Sequence, residues 1–136
     1  MYLLDTNVVS ELRRTRPHPS VVEWVQRVRS EELFLSAVTI GEIQAGIEIT
    51  REQDPAKADE LEAWLEQRVL GGFDILSMDA SAWREWARLM HRRSDTLLQD
   101  AMIAAIARTN RLIVVTRNVR DFEPFDVPVL DPFTSR

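Results

Sequence analysis

The sequence predicts an α/β domain in three layers, a central parallel sheet with helices on both faces. Three observations lead there. Short apolar runs (Tyr2 to Leu4, Leu33 to Ser36, Asp74 to Ser77, Leu112 to Val115) alternate with longer stretches of helical periodicity, the pattern of parallel strands joined through helices. A chain of 136 residues suits a single domain, residues 1–136, long enough to bury a core without disulfides. The first apolar run stops abruptly at Asp5-Thr6-Asn7, which sets a carboxylate at the carboxyl end of a strand, where open α/β sheets keep their ligand crevice.

Tyr2 to Leu4 reads as a buried strand, and Thr6 or Asn7 caps a short helix to about Leu12 that the run from Arg13 to Pro19 breaks. Ser20 begins a second helix with Val21, Val22, Trp24, Val25 and Val28 facing inward, and Leu33 to Ser36 is the second strand. Thr39 caps a third helix to about Thr50. Asp54-Pro55 is a cap followed by proline at the first helical position; the fourth helix carries Ala58, Leu61, Leu65 and Val69 and stops at Gly71-Gly72. After the strand Asp74 to Ser77, Asp79 caps a helix in which Trp83, Trp86, Ala87 and Met90 have the spacing of a buried stripe, with Arg84, Arg88 and Arg92 along another face. A helix from about Thr96 to Arg108, the strand Leu112 to Val115, a polar turn and a short strand near Val127 to Leu130 complete the chain.

Composition narrows the chemistry. The chain has no cysteine, and its two histidines are isolated, His18 between Pro17 and Pro19 and His91 far from it. Thiolate or histidine zinc sites and Ser-His-Asp triads therefore fall away, and any catalysis runs on carboxylates. No amino-terminal basic stretch precedes an apolar core and no run approaches the ~20 apolar residues that span a bilayer, so a soluble, cytoplasmic protein without membrane association is expected. A net charge of −5 argues against nucleic acid on average, yet Arg84, Arg88, Arg92, Arg93, Arg108, Arg111, Arg117 and Arg120 crowd one stretch against Glu85, Asp95 and Asp100. Arginine's planar fork suits phosphate, and ordinary solvated helix faces account for the run equally well.

Four carboxylates stand out. Asp5 follows a strand directly; a plain helix cap explains it as readily as a ligand role. Glu42 projects from a helix whose Ile40, Ile43 and Ile47 mark the buried face, and Gly41, Ala45 and Gly46 around it suggest a close approach from outside. Asp100 sits in Leu97-Leu98-Gln99-Asp100-Ala101-Met102-Ile103, a helix apolar nearly all round and thus central, where an ionised carboxylate must be protonated, paired with an arginine or bound to a cation. Asp121 lies in the polar turn after Val115 with Thr116 and Asn118, and there Asn118 either caps a helical turn with Asp121 as its exposed partner or joins a site. Under the proposed sheet Asp5, Thr116 and Asn118 lie at one strand-end edge, and the helices bearing Glu42 and Asp100 can converge on it. Carboxylates without histidine or cysteine make an all-oxygen site suited to Mg²⁺ or Mn²⁺, whose charge relieves their repulsion and whose bound water is activated for attack on a phosphodiester.

The segments Leu3 to Asn7, Ser36 to Ile43, Asp100 to Ala105 and Val115 to Phe122, in that order, resemble the PIN-domain ribonucleases, and within them the toxins of bacterial toxin–antitoxin pairs of the VapC and FitB kind. The resemblance spans almost the whole chain. It implies a PIN-like sandwich with an acidic pocket for Mg²⁺ or Mn²⁺, in which Asp5, Glu42 and Asp100 match the family's acids. Asp5 and Asp100 are the expected metal ligands, and Thr6, Asn7 and Thr116 the supporting polar groups. Many relatives carry a fourth acid where this chain has Asn118, so either Asp121 or Asn118 completes the set. The resemblance further implies an RNA substrate, a homodimer, and an antitoxin whose carboxyl-terminal segment wraps the toxin and inhibits it. Trp24, Trp83, Trp86 and Met90 either line the antitoxin's groove or pack in the core, and Arg13, Arg14 and Arg16 are placed to meet the substrate backbone. A second class of function is a catalytically weak binding module that acts with its partner on operator DNA. Phosphoacceptor domains rank below both, because Asn7 stands where a phosphatase wants a second acid and no lysine follows Lys57.

Overall fold

The computed structural model describes residues 1–94 and 96–134. Its strands β1 (Tyr2–Leu4), β2 (Leu33–Ser36), β3 (Asp74–Leu76), β4 (Ile113–Val115) and β5 (Val129–Leu130) form one sheet in the order β3-β2-β1-β4-β5, parallel throughout. From the central β1 the chain steps outward to β2 and β3, then crosses to β4 and β5 on the other side. The order therefore reverses between β1 and β4, which opens a crevice at their carboxyl ends. Register places Leu4 beside both Leu35 and Val115. The next residue of each strand, Ser36, Asp5 and Thr116, consequently lies in a row along the carboxyl edge.

Helices α1 (Thr6–Arg13), α2 (Pro19–Arg27), α3 (Ala37–Gln53) and α4 (Pro55–Trp64) cover one face of the sheet, and α5 (Ala80–Met90) and α6 (Leu98–Asn110) the other. Strand alternation divides the core accordingly. Leu4, Leu33, Leu35 and Val115 pack with Val8, Val9, Val21 and Ile47, whereas Leu3 and Val114 pack with Ile103, Ile106, Phe122 and Phe125. Each such side chain contributes about 1.5–3 kcal/mol by leaving water, and the expected three-layer architecture is what results.

Several boundaries differ from expectation for local reasons. Asp5, not Thr6 or Asn7, caps α1, its Oδ1 accepting the Thr6 N–H at 2.8 Å. Ser36, not Thr39, caps α3, its Oγ accepting the Thr39 N–H at 3.1 Å. Helix α2 opens one residue before Ser20, since His18 Nδ1 accepts the Ser20 N–H and Pro19 needs no partner for its nitrogen. Helix α4 gives way to a π turn over Leu65–Val69. Neither Gly71 nor Gly72 has the left-handed backbone of a helix stop. A Cβ on Gly71 would lie 2.7 Å from the Gln67 carbonyl oxygen, and one on Gly72 would collide with that of Arg68. Helix α6 begins at Leu98 rather than Thr96 because Leu97 adopts a left-handed φ of 63°, and it runs on to Asn110 before Arg111 turns left-handed at 56°.

The expected stripe on α5 is only half right. Its interior line is Ala82, Trp86, Leu89 and Met90, packed with Ala101, Ala104 and Ala107 of α6, whereas Ala87 is exposed and Trp83 is 45% exposed. Close approach to the alanine-rich α6 accommodates Ala82 where Trp83 would not fit; Trp83 meets Trp86 edge-to-face at 5.4 Å instead. Among the described residues no helix is long and apolar enough to cross a membrane.

Gly41 and Gly46 are not required by the fold. Both are exposed on α3, neither has a positive φ, and a Cβ on either would meet nothing within 4 Å. Each of Gly41→Ala and Gly46→Ala should stabilise the isolated chain by about 0.5–1 kcal/mol in urea unfolding, through helix propensity alone. A loss of stability at either position would show a contact on that face that the isolated fold does not contain.

Candidate functional site

The carboxyl edge gathers the polar residues singled out in the sequence. Asp5 is nearly buried, 5% exposed, because strand pairing holds its backbone (its N–H donates to the Val115 carbonyl at 2.9 Å) and helix capping holds its side chain. Its Oδ2 accepts the Thr116 hydroxyl at 2.8 Å and the Asn7 amide at 3.2 Å. Asn7 closes the ring by accepting the Arg117 N–H through Oδ1 at 3.1 Å. Asp5 is thus both a helix cap and the floor of the crevice, and the two readings of the sequence are not exclusive.

Glu42 approaches from α3. Thr6 Oγ1 lies 3.0 Å from Glu42 Oε1, so Thr6 binds Asp5 through its N–H and Glu42 through its hydroxyl. An open cleft of about 470 Å³ separates Glu42 from Leu97, Leu98, Gln99 and Asp100. Asp100 is not in the apolar centre of α6, as its sequence neighbours suggested, but in its first turn and only partly buried; the buried run starts at Ala101. The helix has no side-chain cap there, so the carboxylate meets the positive end of the helix dipole. Asp121 lies on the 3₁₀ segment Val119–Phe125, its N–H donating to the Asn118 carbonyl at 3.1 Å. Asn118 makes no side-chain cap; it is exposed and contributes backbone only, that carbonyl and its N–H, which donates to Thr116 Oγ1 at 3.0 Å.

Electrostatics shows how crowded the edge is. Burial raises the proton affinity of Asp5, against the lowering effect of donors from Thr116, Thr6 and Asn7, and the charge of Asp121 raises it further. Burial likewise raises Glu42, offset in part by Thr6 and reinforced by Asp5. Asp100 is pushed up to about 7, first by burial and then by the charges of Asp5, Asp121 and Glu42. Among the described residues no basic side chain forms an ion pair with any of the four acids, which removes the arginine pairing considered for Asp100. The set remains open: among the described residues no three His, Cys, Asp or Glu side chains already stand in a coordinating arrangement. Its donors are all oxygen, their charge is uncompensated, and their repulsion is expressed at Asp100. Such a set fits a hard divalent cation.

The arginines and tryptophans sort differently from expectation. Arg14 pairs with Glu11 and Arg88 with Glu85, while Arg108 reaches Glu85, Asp126 and the carbonyls of Phe125 and Asp126. Arg13 walls a cleft of about 260 Å³ that contains Thr6, Glu42 and Trp64, and Arg117 stacks over Phe133 at 4.4 Å beside Asn7. Trp24 is core, edge-to-face with Tyr2 at 5.0 Å, and Trp86 and Met90 pack against the α5–α6 core. Two further hydroxyls adjoin the site, Ser36 and Thr39, both wholly buried behind Thr6, where their sequence positions suggested only the start of a helix.

Asp100 holds its proton to about pH 7 in the folded chain but releases it near its ordinary 3.8 when unfolded. The folded state therefore binds more protons in that window, and the stability this group contributes is full below about 3.8 and lost as pH rises to about 7. In chelator-treated protein Asp100→Asn should flatten this slope. The variant should gain on wild type between pH 4 and 8 by on the order of 1 kcal/mol, well short of the full shift because solvent screens a partly open site. Parallel stability-versus-pH curves for the two proteins would count against this charge crowding.

A model of the PIN domain matches residues 2–126. Toxin FitB of Neisseria gonorrhoeae is 33% identical over 98% of this chain and 99% of its own length. A VapC ribonuclease of Sinorhizobium fredii is 32% identical over 98% of each. The solved structure of FitAB bound to an IR36 DNA fragment superposes with a TM-score of 0.86 at 31% identity, covering 100% of this chain and 98% of that one. The family model covers most of the chain and the relatives align over almost all of it, so the chain belongs to the PIN-domain family.

Proposed function

We propose that this chain is a divalent-metal-dependent endoribonuclease toxin of the cytoplasm, homodimeric and held inactive by a cognate antitoxin. The observation that carries the reading is the convergence of Asp5, Glu42, Asp100 and Asp121 on one strand-end crevice with no protein cation among the described residues to neutralise them. The ribonuclease and toxin names of relatives aligned over almost the full chain support the choice of substrate and class.

In this reading Asp5 and Asp100 hold Mg²⁺ or Mn²⁺, and the ion, when bound, offsets their charge, lowers the pKa of water and stabilises the departing oxygen. The chain's own residues do the rest. Thr116 and Asn7 fix the rotamer of Asp5 through donated hydrogen bonds, which favour its ionised form against the burial that raises its proton affinity. Glu42, raised in proton affinity by burial, accepts the proton of the attacking water through its untethered oxygen. Asp121 supplies further negative charge at the rim, with Asn118 exposed beside it as a polar contact for substrate. Arg13 on one side and Arg117 on the other meet flanking phosphates. A second reading is favoured by the DNA-bound FitAB structure: the chain, through its antitoxin, also occupies operator DNA.

Asp5→Asn should lower Mg²⁺- or Mn²⁺-dependent RNA cleavage at least a hundredfold, roughly the contribution of one essential acid–base or ligand group, and Asp100→Asn should do likewise. Asparagine still caps α1, so circular dichroism and the unfolding midpoint should show a folded protein. Undiminished cleavage by purified Asp5→Asn protein would refute this site. Partner binding without cleavage by wild type at any Mg²⁺ or Mn²⁺ concentration would favour the binding module.

A further inference from the structure

We propose that Ser36 and Thr39, which lie behind the acidic crevice, are positioning residues that set the orientation of Glu42 through a one-way chain of hydroxyl hydrogen bonds; the inference rests on the nuclease reading of the crevice. Both are wholly buried, at 0% exposure. In this chain Ser36 Oγ donates to Thr39 Oγ1 at 3.3 Å, and the Thr6 hydroxyl has two acceptors in reach, Thr39 Oγ1 at 3.1 Å and Glu42 Oε1 at 3.0 Å. It joins the end of β2, the first turn of α3 and the first residue of α1.

Proton counting fixes the direction. A hydroxyl has one proton to donate and two lone pairs to receive. The Thr6 hydroxyl is placed to donate to either oxygen but has one proton, and an ionised Glu42, a charged group that only accepts, outcompetes the neutral Thr39 hydroxyl for it. Thr6 must then receive from Thr39, and Thr39 from Ser36, whose own oxygen receives the Thr39 N–H at 3.1 Å. In the reverse direction the Ser36 proton would have no acceptor among the described residues, a costly orphan in a buried site. Every donor is satisfied in one arrangement only, and each link polarises the next toward the carboxylate.

The chain leaves Glu42 asymmetric. Oε1 is tethered, while Oε2 has no hydrogen bond among the described residues and is available to the crevice. Thr39 and Glu42 are three residues apart and share one face of α3, so the hydroxyl that orients Thr6 and the carboxylate that Thr6 holds move as a unit. Because the Thr6 N–H also binds Asp5 Oδ1, the buried hydroxyls register Glu42 against Asp5 as well.

The test compares wild type with Thr39→Val, which keeps the shape and removes the hydroxyl, and with Thr39→Ser, which restores it. On an RNA substrate, Thr39→Val should lower kcat about tenfold with KM within about twofold, a size typical of groups that orient a ligating or reacting side chain. Thr39→Ser should recover most of the loss. In the metal-free proteins the side-chain carboxyl ¹³C resonance of Glu42 should move in Thr39→Val and return in Thr39→Ser. Ser36→Ala, acting from the far end of the chain, should change the same observables in the same direction by less, and it stands in should Thr39→Val not fold. Wild-type kcat and an unmoved Glu42 resonance in folded Thr39→Val would overturn the proposal, as would failure of folded Thr39→Ser to recover. If wild type cleaves no RNA the nuclease reading fails, and the Glu42 resonance alone then decides whether the chain positions that carboxylate.

Discussion

Like-charge crowding at the carboxyl end of β1 is the constraint around which the rest of the site is arranged. Asp5 cannot retreat from it, because its backbone N–H is fixed to Val115, its Oδ1 caps α1 and its Oδ2 is held by Thr116 and Asn7. Those donors favour the ionised form and counter the desolvation that burial imposes. Asp100 is partly buried, lacks such donors in the hydrogen-bond network of the described residues, and bears the charges of Asp5, Asp121 and Glu42 besides, so burial first and repulsion second hold its proton to about 7. Two acids of the same crevice are thus driven apart in behaviour by their surroundings.

The fold absorbs that repulsion without forfeiting a core. Leu3 and Leu4 are wholly buried on opposite faces immediately before Asp5, and Ala101 is wholly buried immediately after Asp100. The acids sit on the last shell of well-packed elements, so packing energy anchors the backbone while the side chains face the opening. Placing a site at the junction of strand and helix costs little in packing because the polar atoms there have caps and strand ends to satisfy.

What was legible in the sequence follows from range. Asp5 could be placed because strand, acid and helix are contiguous, and Glu42 because the isoleucines beside it mark the opposite face. The convergence of four distant acids was readable only through the sheet order they imply and the family they resemble. Asp100 was placed too deep: its apolar neighbours describe the helix beyond it, and the left-handed Leu97 that starts the helix one residue after it has no signature in a leucine. The hydroxyl chain was not legible, since Thr6 meets Thr39 and Glu42 across 33 and 36 residues and serine or threonine at a cap has an adequate local explanation. The π turn after Trp64 and the exposure of Trp83 arise from packing between helices, which residue periodicity does not report.

Charge balance closes the physical account. A chain of net charge −5 with a cluster of uncompensated acids repels a polyanion where the chemistry would occur. Attraction has to come from arginines that the protein does not neutralise itself. Arg88 and Arg108 are tied to acids, and Arg93 is tied to the carbonyls of Leu89 and Pro124. Arg13 and Arg117 form no ion pair among the described residues; Arg13 lines a cleft with Thr6 and Glu42, and Arg117, whose backbone N–H donates to Asn7, carries its guanidinium over Phe133. Arg117 is also held over the Phe133 ring, which would lower the entropy lost if its guanidinium engaged a phosphate. The same edge that concentrates negative charge at its centre therefore carries free positive charge at its two margins, a polarity that suits a strand laid across the acids with its phosphates anchored on either side.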